Sequence, residues 1–180
     1  MARIAPVDRN NPPAAVAEQL SAIRAKLGKV PNALATLAQA PAALNAYLAV
    51  NQAIAAGTLS AKERERIALA VAEVNGCEYC LSAHSYSGKF AGLPEDEILA
   101  ARQGRSADPR AAAIVQLAQA IVAERGRVAT AELDKARAAG LSDGEVLEVL
   151  ANVVANILTN YTNNLSGTEI DFPKAPALAV

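Results

Sequence analysis

Glu65-Arg66-Ile67-Ala68-Leu69-Ala70-Val71-Ala72-Glu73-Val74-Asn75-Gly76-Cys77-Glu78-Tyr79-Cys80-Leu81-Ser82-Ala83-His84 reads as one helix ending and another beginning. Asn75-Gly76 is a turn signal. Upstream, Ser60 and Glu63 form a capping box, so the first helix is expected over Ala61 to Asn75. Gly76 breaks it, and a second helix should carry Cys77 to about Phe90. The segment holds both cysteines and the one histidine of the chain. Cys77, Cys80 and His84 stand at i, i+3 and i+7, positions that stack on one helical face.

Working outward, the same punctuation recurs. Pro12 and Pro13 precede a helix from about Ala14 to Leu27, with Val16, Leu20, Ile23 and Leu27 at helical spacing. Pro31 and Pro41 sit where helices begin, because a missing N–H is harmless in a first turn. The Pro41 helix should run to about Ala56, with Gly57 stopping it. A short helix follows Pro94. Asp108 caps one from Pro109 to near Gly126, striped by Ile114, Leu117, Ala118, Ile121 and Val122. Thr130 is read as the cap of a short helix that stops at Gly140. Ser142 and Glu145 form a second capping box for the last helix, to about Leu165. After Gly167, Pro173 and Pro176 forbid regular structure. The fold class is therefore all-α, one compact multi-helix domain over residues 1–180 with its core motif at 65–84.

Composition agrees. Of 180 residues, 52% are hydrophobic and 3% aromatic. About a quarter of positions are Ala, the best helix former. That argues against a sandwich or barrel, which wants β-branched and aromatic residues. It also argues against disorder. Seventeen basic and 18 acidic side chains leave a formal charge of -1, with no electrostatic reason to expect nucleic acid or an anionic membrane as partner. No stretch reaches the length of a membrane span. Met1 to Pro13 has no apolar core of a secretory signal, so the cytoplasm is the expected compartment. There, a close cysteine pair points to redox or metal chemistry rather than to a structural disulfide.

The last helix is the most apolar, with Val146, Leu147, Leu150, Val153, Val154, Ile157, Leu158 and Tyr161. Asn152, Asn156 and Asn160 repeat at i+4 on another side. Three readings stand: a central core helix with the asparagines at its solvent edge, a helix whose second side meets another subunit with the asparagines bonding across, or a helix that lines a site.

The chemistry sits in the quoted stretch. Cys77 is expected in the first turn of its helix, where free N–H groups and the dipole favour a thiolate. Cys-x-x-Cys at a helix start lowers a thiol pKa and lets a disulfide form and open. His84 can take a proton from Cys80 or hold one for a leaving group. Glu65 has Ala68, Leu69 and Ala72 as helical neighbours, so half-burial is expected, with a raised pKa suited to proton relay. A rival reading has Cys77, Cys80, His84 and Glu65 ligating zinc. A third has the pair sensing oxidants without turnover. Haem attachment of the c type needs a histidine directly after the second cysteine, where Leu81 stands.

Glu65, eleven residues, Cys77-x-x-Cys80, three residues, His84 resembles the core motif of the alkylhydroperoxidase D-like branch of the carboxymuconolactone decarboxylase superfamily. The flanks Ser60 to Ile67 and Val74 to Cys80 are similar too. Thr159 to Asn164 and Thr168 to Pro173 resemble the longer peroxidase-related members. The resemblance, over Ala14 to Pro173, implies an alkylhydroperoxidase D-like helical fold assembled as a homotrimer or homohexamer. It implies reduction of hydroperoxides with no metal, haem or other cofactor. The cysteine matching Cys80 attacks the peroxide, and the one matching Cys77 resolves the sulfenic acid to a disulfide. Glu65 and His84 match the residues that pass protons. The reductant implied is a dithiol carrier, a lipoyl group or a thioredoxin-like protein. One departure is Tyr79, where the best-known branch often has a histidine. The decarboxylase branch generally lacks the cysteine pair.

Overall fold

The computed structural model describes residues 2–178. These residues form nine α-helices and no strand. In chain order they are α1 (Ala14–Leu27), α2 (Asn32–Leu37), α3 (Pro41–Ala55), α4 (Ala61–Val74), α5 (Glu78–Phe90), α6 (Glu95–Arg102), α7 (Pro109–Ala123), α8 (Thr130–Ala138) and α9 (Asp143–Ser166). No helix among the described residues is long and apolar enough to cross a membrane.

α4 is the centre. Six consecutive residues, Ile67 to Ala72, are buried, so neighbours cover it on every side: α5, α6, α7 and α9 all pack against it. Its alanines let those helices approach closely. Ile67, Leu69 and Val71 are fully covered, each worth about 1.5–3 kcal/mol over an exposed position. Ile67 and Val71 join α7, α8 and α9 in one cluster, while Leu69 and Ala70 join α6 and α7 in another. The first three helices make a separate core of Val16, Leu20, Ile23, Leu34 and Leu44.

Both expected capping boxes are complete. Ser60 accepts from the Glu63 backbone, Ser142 from that of Glu145, and each glutamate returns the bond. Asp108 caps α7 through Ala111 N–H. Three expectations need correction. Thr130 is the first residue of α8, and the residue before it, Ala129, makes no side-chain cap. α7 ends at Ala123 rather than near Gly126, because the chain already turns left-handed at Arg125. Cys77 lies just outside α5 as its N-cap rather than in its first turn.

The solvent edge expected for the asparagines of the last helix is not where Asn152 and Asn160 stand. Asn152 and Asn160 are buried, and Asn163 with them. They bond within the chain: Asn160 Oδ1 accepts from Asn75 Nδ2 at 2.9 Å, and Asn152 Nδ2 donates to the Glu148 carbonyl. It is the apolar side that faces outward, with Leu147, Leu150, Val154, Leu158, Tyr161 and Leu165 exposed.

Residues after Gly167 are irregular, as expected, yet they are tied down. Lys29 Nζ donates to the Asp171 carbonyl at 2.6 Å, Ala175 N–H to Ser82 Oγ at 3.1 Å, and Arg102 to the Pro176 carbonyl at 2.6 Å. Ile170, Phe172 and Ala175 rest on the cluster that contains both cysteines.

Gly76 makes the α4–α5 reversal with φ 59°, and a Cβ there would meet nothing within 4 Å. Gly76→Ala therefore isolates the backbone cost of a left-handed residue, about 1–2 kcal/mol. Chemical denaturation should show a loss of that size. An unchanged midpoint would mean that the turn does not need glycine.

Candidate active site

The α4–α5 reversal sets the sulfur geometry. Cys77 N–H bonds to the Ala72 carbonyl, closing the end of α4. Its sulfur then accepts the Cys80 backbone N–H at 3.3 Å, capping α5. Three residues of helix return Cys80 Sγ to within 2.6 Å of Cys77 Sγ, with both thiols free. The pair is buried, Cys77 at 0% and Cys80 at 2% exposed.

The two thiols are not equivalent. Cys80 is pulled down to about 7, first by the hydrogen bond from Cys77 and against the effect of burial. The positive field of His84 and the Asn163 and Asn160 amides pull the same way. Asn163 Nδ2 donates to Cys80 Sγ at 3.3 Å. Cys77 is pushed up, because its proton is shared with Cys80 and burial disfavours its charge. The helix cap does favour charge on Cys77, but that effect is smaller. The expectation that the dipole would place the thiolate on Cys77 is thus corrected: the neutral-pH thiolate belongs to Cys80.

Across from α5, Glu65 reaches the histidine. His84 Nδ1 lies 2.9 Å from Glu65 Oε2, and Ser87 Oγ donates to the same oxygen at 2.8 Å. An ionised carboxylate only accepts, so Nδ1 carries the proton and Nε2 is the nitrogen left over. Both side chains are half-buried, as expected for Glu65, at 26% and 22% exposed. The expected rise in the Glu65 pKa does not occur. Burial does push it up, but the His84 charge and the bonds from His84 and Ser87 outweigh that and leave it lowered. Burial likewise opposes charge on His84, yet Glu65 and then Cys80 hold its pKa above the ordinary value. Glu65 thus favours the protonated imidazole and orients the ring.

A cavity of about 800 Å³ opens onto this arrangement. Cys80, His84 and Asn163 line it, whereas Cys77 and Glu65 do not. Tyr79 is buried and aimed at the tail: its hydroxyl donates to Asp171 at 2.7 Å and accepts the Ala33 N–H at 3.2 Å. No group of three or more His, Cys, Asp or Glu that could hold a metal ion occurs among the described residues. The rival zinc set of Cys77, Cys80, His84 and Glu65 is not such a group, and Glu65 is engaged by His84 and Ser87.

Residues 41–123 match the carboxymuconolactone decarboxylase family. The match covers just under half of the chain and is to the superfamily that the motif resembles. It runs from the start of α3 to the end of α7 and contains Glu65, Cys77, Cys80 and His84. Among solved structures the chain is similar to an uncharacterized peroxidase-related protein of the alkylhydroperoxidase AhpD core type from Ralstonia eutropha JMP134, with TM-score 0.83 and 24% identity over 94% of this chain and 92% of that one. An uncharacterized peroxidase-related protein from Silicibacter sp. TM1040 gives TM-score 0.80 and 22% identity, over 92% and 91%. The debrominase Bmp8 gives 0.78 and 19%, over 93% and 91%. These likenesses show the fold alone, and a fold shared with a debrominase leaves the reaction to be argued from the site. An uncharacterized Haemophilus influenzae Rd protein is 54% identical over 48 residues, 26% of this chain and 42% of that protein.

Two features of the site had no clear signal in the sequence. Asn163 was within the Thr159 to Asn164 run, but its contact with Cys80 spans 83 positions. The i+4 asparagine row continues to Asn164, whereas Asn163 stands at i+3 from Asn160. The tail's hold on Tyr79 had no local signal at all.

The Cys80 thiolate should be visible by ultraviolet titration with an inflection near pH 7. In His84→Gln the positive neighbour is gone and the inflection should rise by about 1 unit. An unmoved inflection would show that the imidazole charge does not reach the sulfur.

Proposed function

We propose that this chain is a thiol peroxidase reducing organic hydroperoxides through a Cys77–Cys80 disulfide cycle. The observation that supports it most is the asymmetry of the sulfur pair. The thiol pulled down to about 7 lines the cavity, and its protonated partner lies 2.6 Å behind it. A nucleophile with a pKa near ambient pH is well placed for attack.

The cycle follows from these positions. Cys80 thiolate attacks the terminal peroxide oxygen, so the O–O bond breaks and an S–O bond forms. Sulfur gives two electrons, and the departing alkoxide takes a proton from the His84 imidazolium. Cys77 then attacks the sulfenic sulfur. The S–S bond forms, the S–O bond breaks, and the Cys77 proton leaves with the oxygen as water. Glu65 stabilises the imidazolium before transfer and orients the ring when it reprotonates. A dithiol reductant, a lipoyl group or a thioredoxin-like protein, exchanges with the disulfide and returns both thiols. Every electron moves through sulfur, so no cofactor is required, and the cycle suits a reducing compartment such as the cytoplasm.

Residues 1–180 act as one unit in this reading, because the tail after α9 closes over the site that α4 and α5 build. The exposed α9 stripe from Leu147 to Leu165 is apolar surface that further copies of the chain would cover. That supports the homotrimer or homohexamer implied by the resemblance.

Peroxide turnover with a dithiol reductant tests the proposal. Cys80→Ser should abolish it. Cys77→Ser should also abolish cycling while still consuming one peroxide and leaving a sulfenic acid on Cys80 that a dione probe traps. The wild-type rate should rise with pH through about 7 as the Cys80 thiolate forms. Full turnover by either variant would overturn the disulfide cycle, and a monomer in sedimentation would overturn the assembly.

A further inference from the structure

The chain has four tyrosines, two phenylalanines and no tryptophan. Five of those six rings, Tyr47, Tyr79, Tyr86, Phe90 and Phe172, line the cavity over Cys80. The sixth, Tyr161, is on the exposed side of α9. Elsewhere the core is aliphatic: neither the cluster around α4, α7 and α9 nor that beneath α6 contains a ring. The concentration is therefore local to the site and not a reflection of composition.

The rings come from distant parts of the chain, Tyr47 on α3, three on α5 and Phe172 on the tail. Four of them form a continuous ladder. Tyr79 and Phe172 meet edge to face, with centroids 5.8 Å apart and planes at 89°. Phe172 and Tyr86 are 5.8 Å apart at 53°, and Tyr86 and Phe90 4.8 Å apart at 56°. The ladder starts at Tyr79, 5% exposed and next to Cys80, and ends at Phe90, 76% exposed. The outer ring, Phe90, is thus open to a ligand at the mouth of the cavity. Aromatic rings favour tilted and edge-to-face neighbours through their quadrupoles, beyond what burial alone supplies.

The inner end is polar. Asn163 donates its amide to Cys80, and its own Oδ1 is buried without a hydrogen-bond partner. A hydroperoxide terminus carries one O–H, which this acceptor can take while the sulfur faces the same oxygen. Hydrogen peroxide occupies little more space than a water molecule, about 30 Å³, and would leave the ring wall and most of the 800 Å³ untouched.

We infer that this cavity selects an arylalkyl hydroperoxide, its ring laid along the Tyr79–Phe172–Tyr86–Phe90 ladder and its peroxide terminus held between Cys80 and Asn163. The inference rests on the peroxidase reading for its chemistry, which is the O–O cleavage described above with an arylalkyl alcohol as product. Its binding component is independent of turnover.

Two measurements separate the claims. In the first, kcat/KM is compared for cumene hydroperoxide, tert-butyl hydroperoxide and hydrogen peroxide. The aryl substrate should lead tert-butyl hydroperoxide by about tenfold or more, the gain of one to two ring contacts. Phe90→Leu, at an exposed position that the core does not need, should cut that ratio about two- to tenfold. In the second, the two product alcohols, 2-phenyl-2-propanol and tert-butanol, are titrated into Cys80→Ser protein by calorimetry or NMR. The aryl alcohol should bind at least about tenfold more tightly, with shifts at Tyr86, Phe90 and Phe172. Turnover of all three peroxides with equal kcat/KM, or equal binding of the two alcohols, overturns the inference and leaves the peroxidase reading standing. Tight binding of the aryl alcohol with no peroxide turnover does the reverse.

Discussion

The Cys77 sulfur accepts the backbone N–H of Cys80, and most of the site follows from that one bond. A helix N-terminus needs acceptors for its free N–H groups, usually a serine, threonine or aspartate oxygen. Here a thiol fills the position, 3.3 Å from the amide. The cap fixes the Cys77 rotamer, and one turn of helix then returns Cys80 to its side. Cys77 is left with a proton that only Cys80 is near enough to share. A symmetric sequence motif thereby becomes an asymmetric pair, one thiol neutral and enclosed, the other poised near neutrality at the end of a cavity.

Three elements complete the site around this pair. α4 brings Glu65 to the histidine, and the histidine's charge lowers Cys80. α9 brings the Asn163 amide to the same sulfur. The tail brings Asp171 to Tyr79 and Phe172 to the ring wall. α4 can serve both as the buried centre of the fold and as a wall of the site because its inward residues are small. Glu65 stands at its less buried end, where a carboxylate is tolerable beside an imidazolium. The same carboxylate in an apolar pocket would have stayed protonated, and His84 would then have lacked its stabilising charge.

Local signals in the sequence carried most of the helical plan. Ser60 with Glu63, Ser142 with Glu145, Asp108 and the proline–glycine punctuation each act within a few residues, so they were legible without coordinates. Cys77, Cys80, His84 and Glu65 were legible for the same reason, since helical spacing places three of them and the α4–α5 turn is short. Long-range effects were hidden. Asn163 meets Cys80 across 83 positions, and Asp171 meets Tyr79 across 92. The direction of the Glu65 shift depended on whether its charge partner outweighed its burial, which spacing alone does not decide. The asparagine row misled because polar residues on an apolar helix suggest solvent, whereas here Asn160 meets Asn75 in the α4–α5 turn and its neighbour Asn163 meets Cys80 on α5.

The central claim is that two sulfurs take up the oxidation together and retain no oxygen. Intact-mass measurement after one equivalent of cumene hydroperoxide, followed by peptide mapping, tests it most directly. The account predicts a chain lighter by two hydrogens, with Cys77 and Cys80 joined in a single peptide. A chain that gains oxygen on Cys80 while Cys77 stays free, or that keeps both thiols titratable, would contradict it.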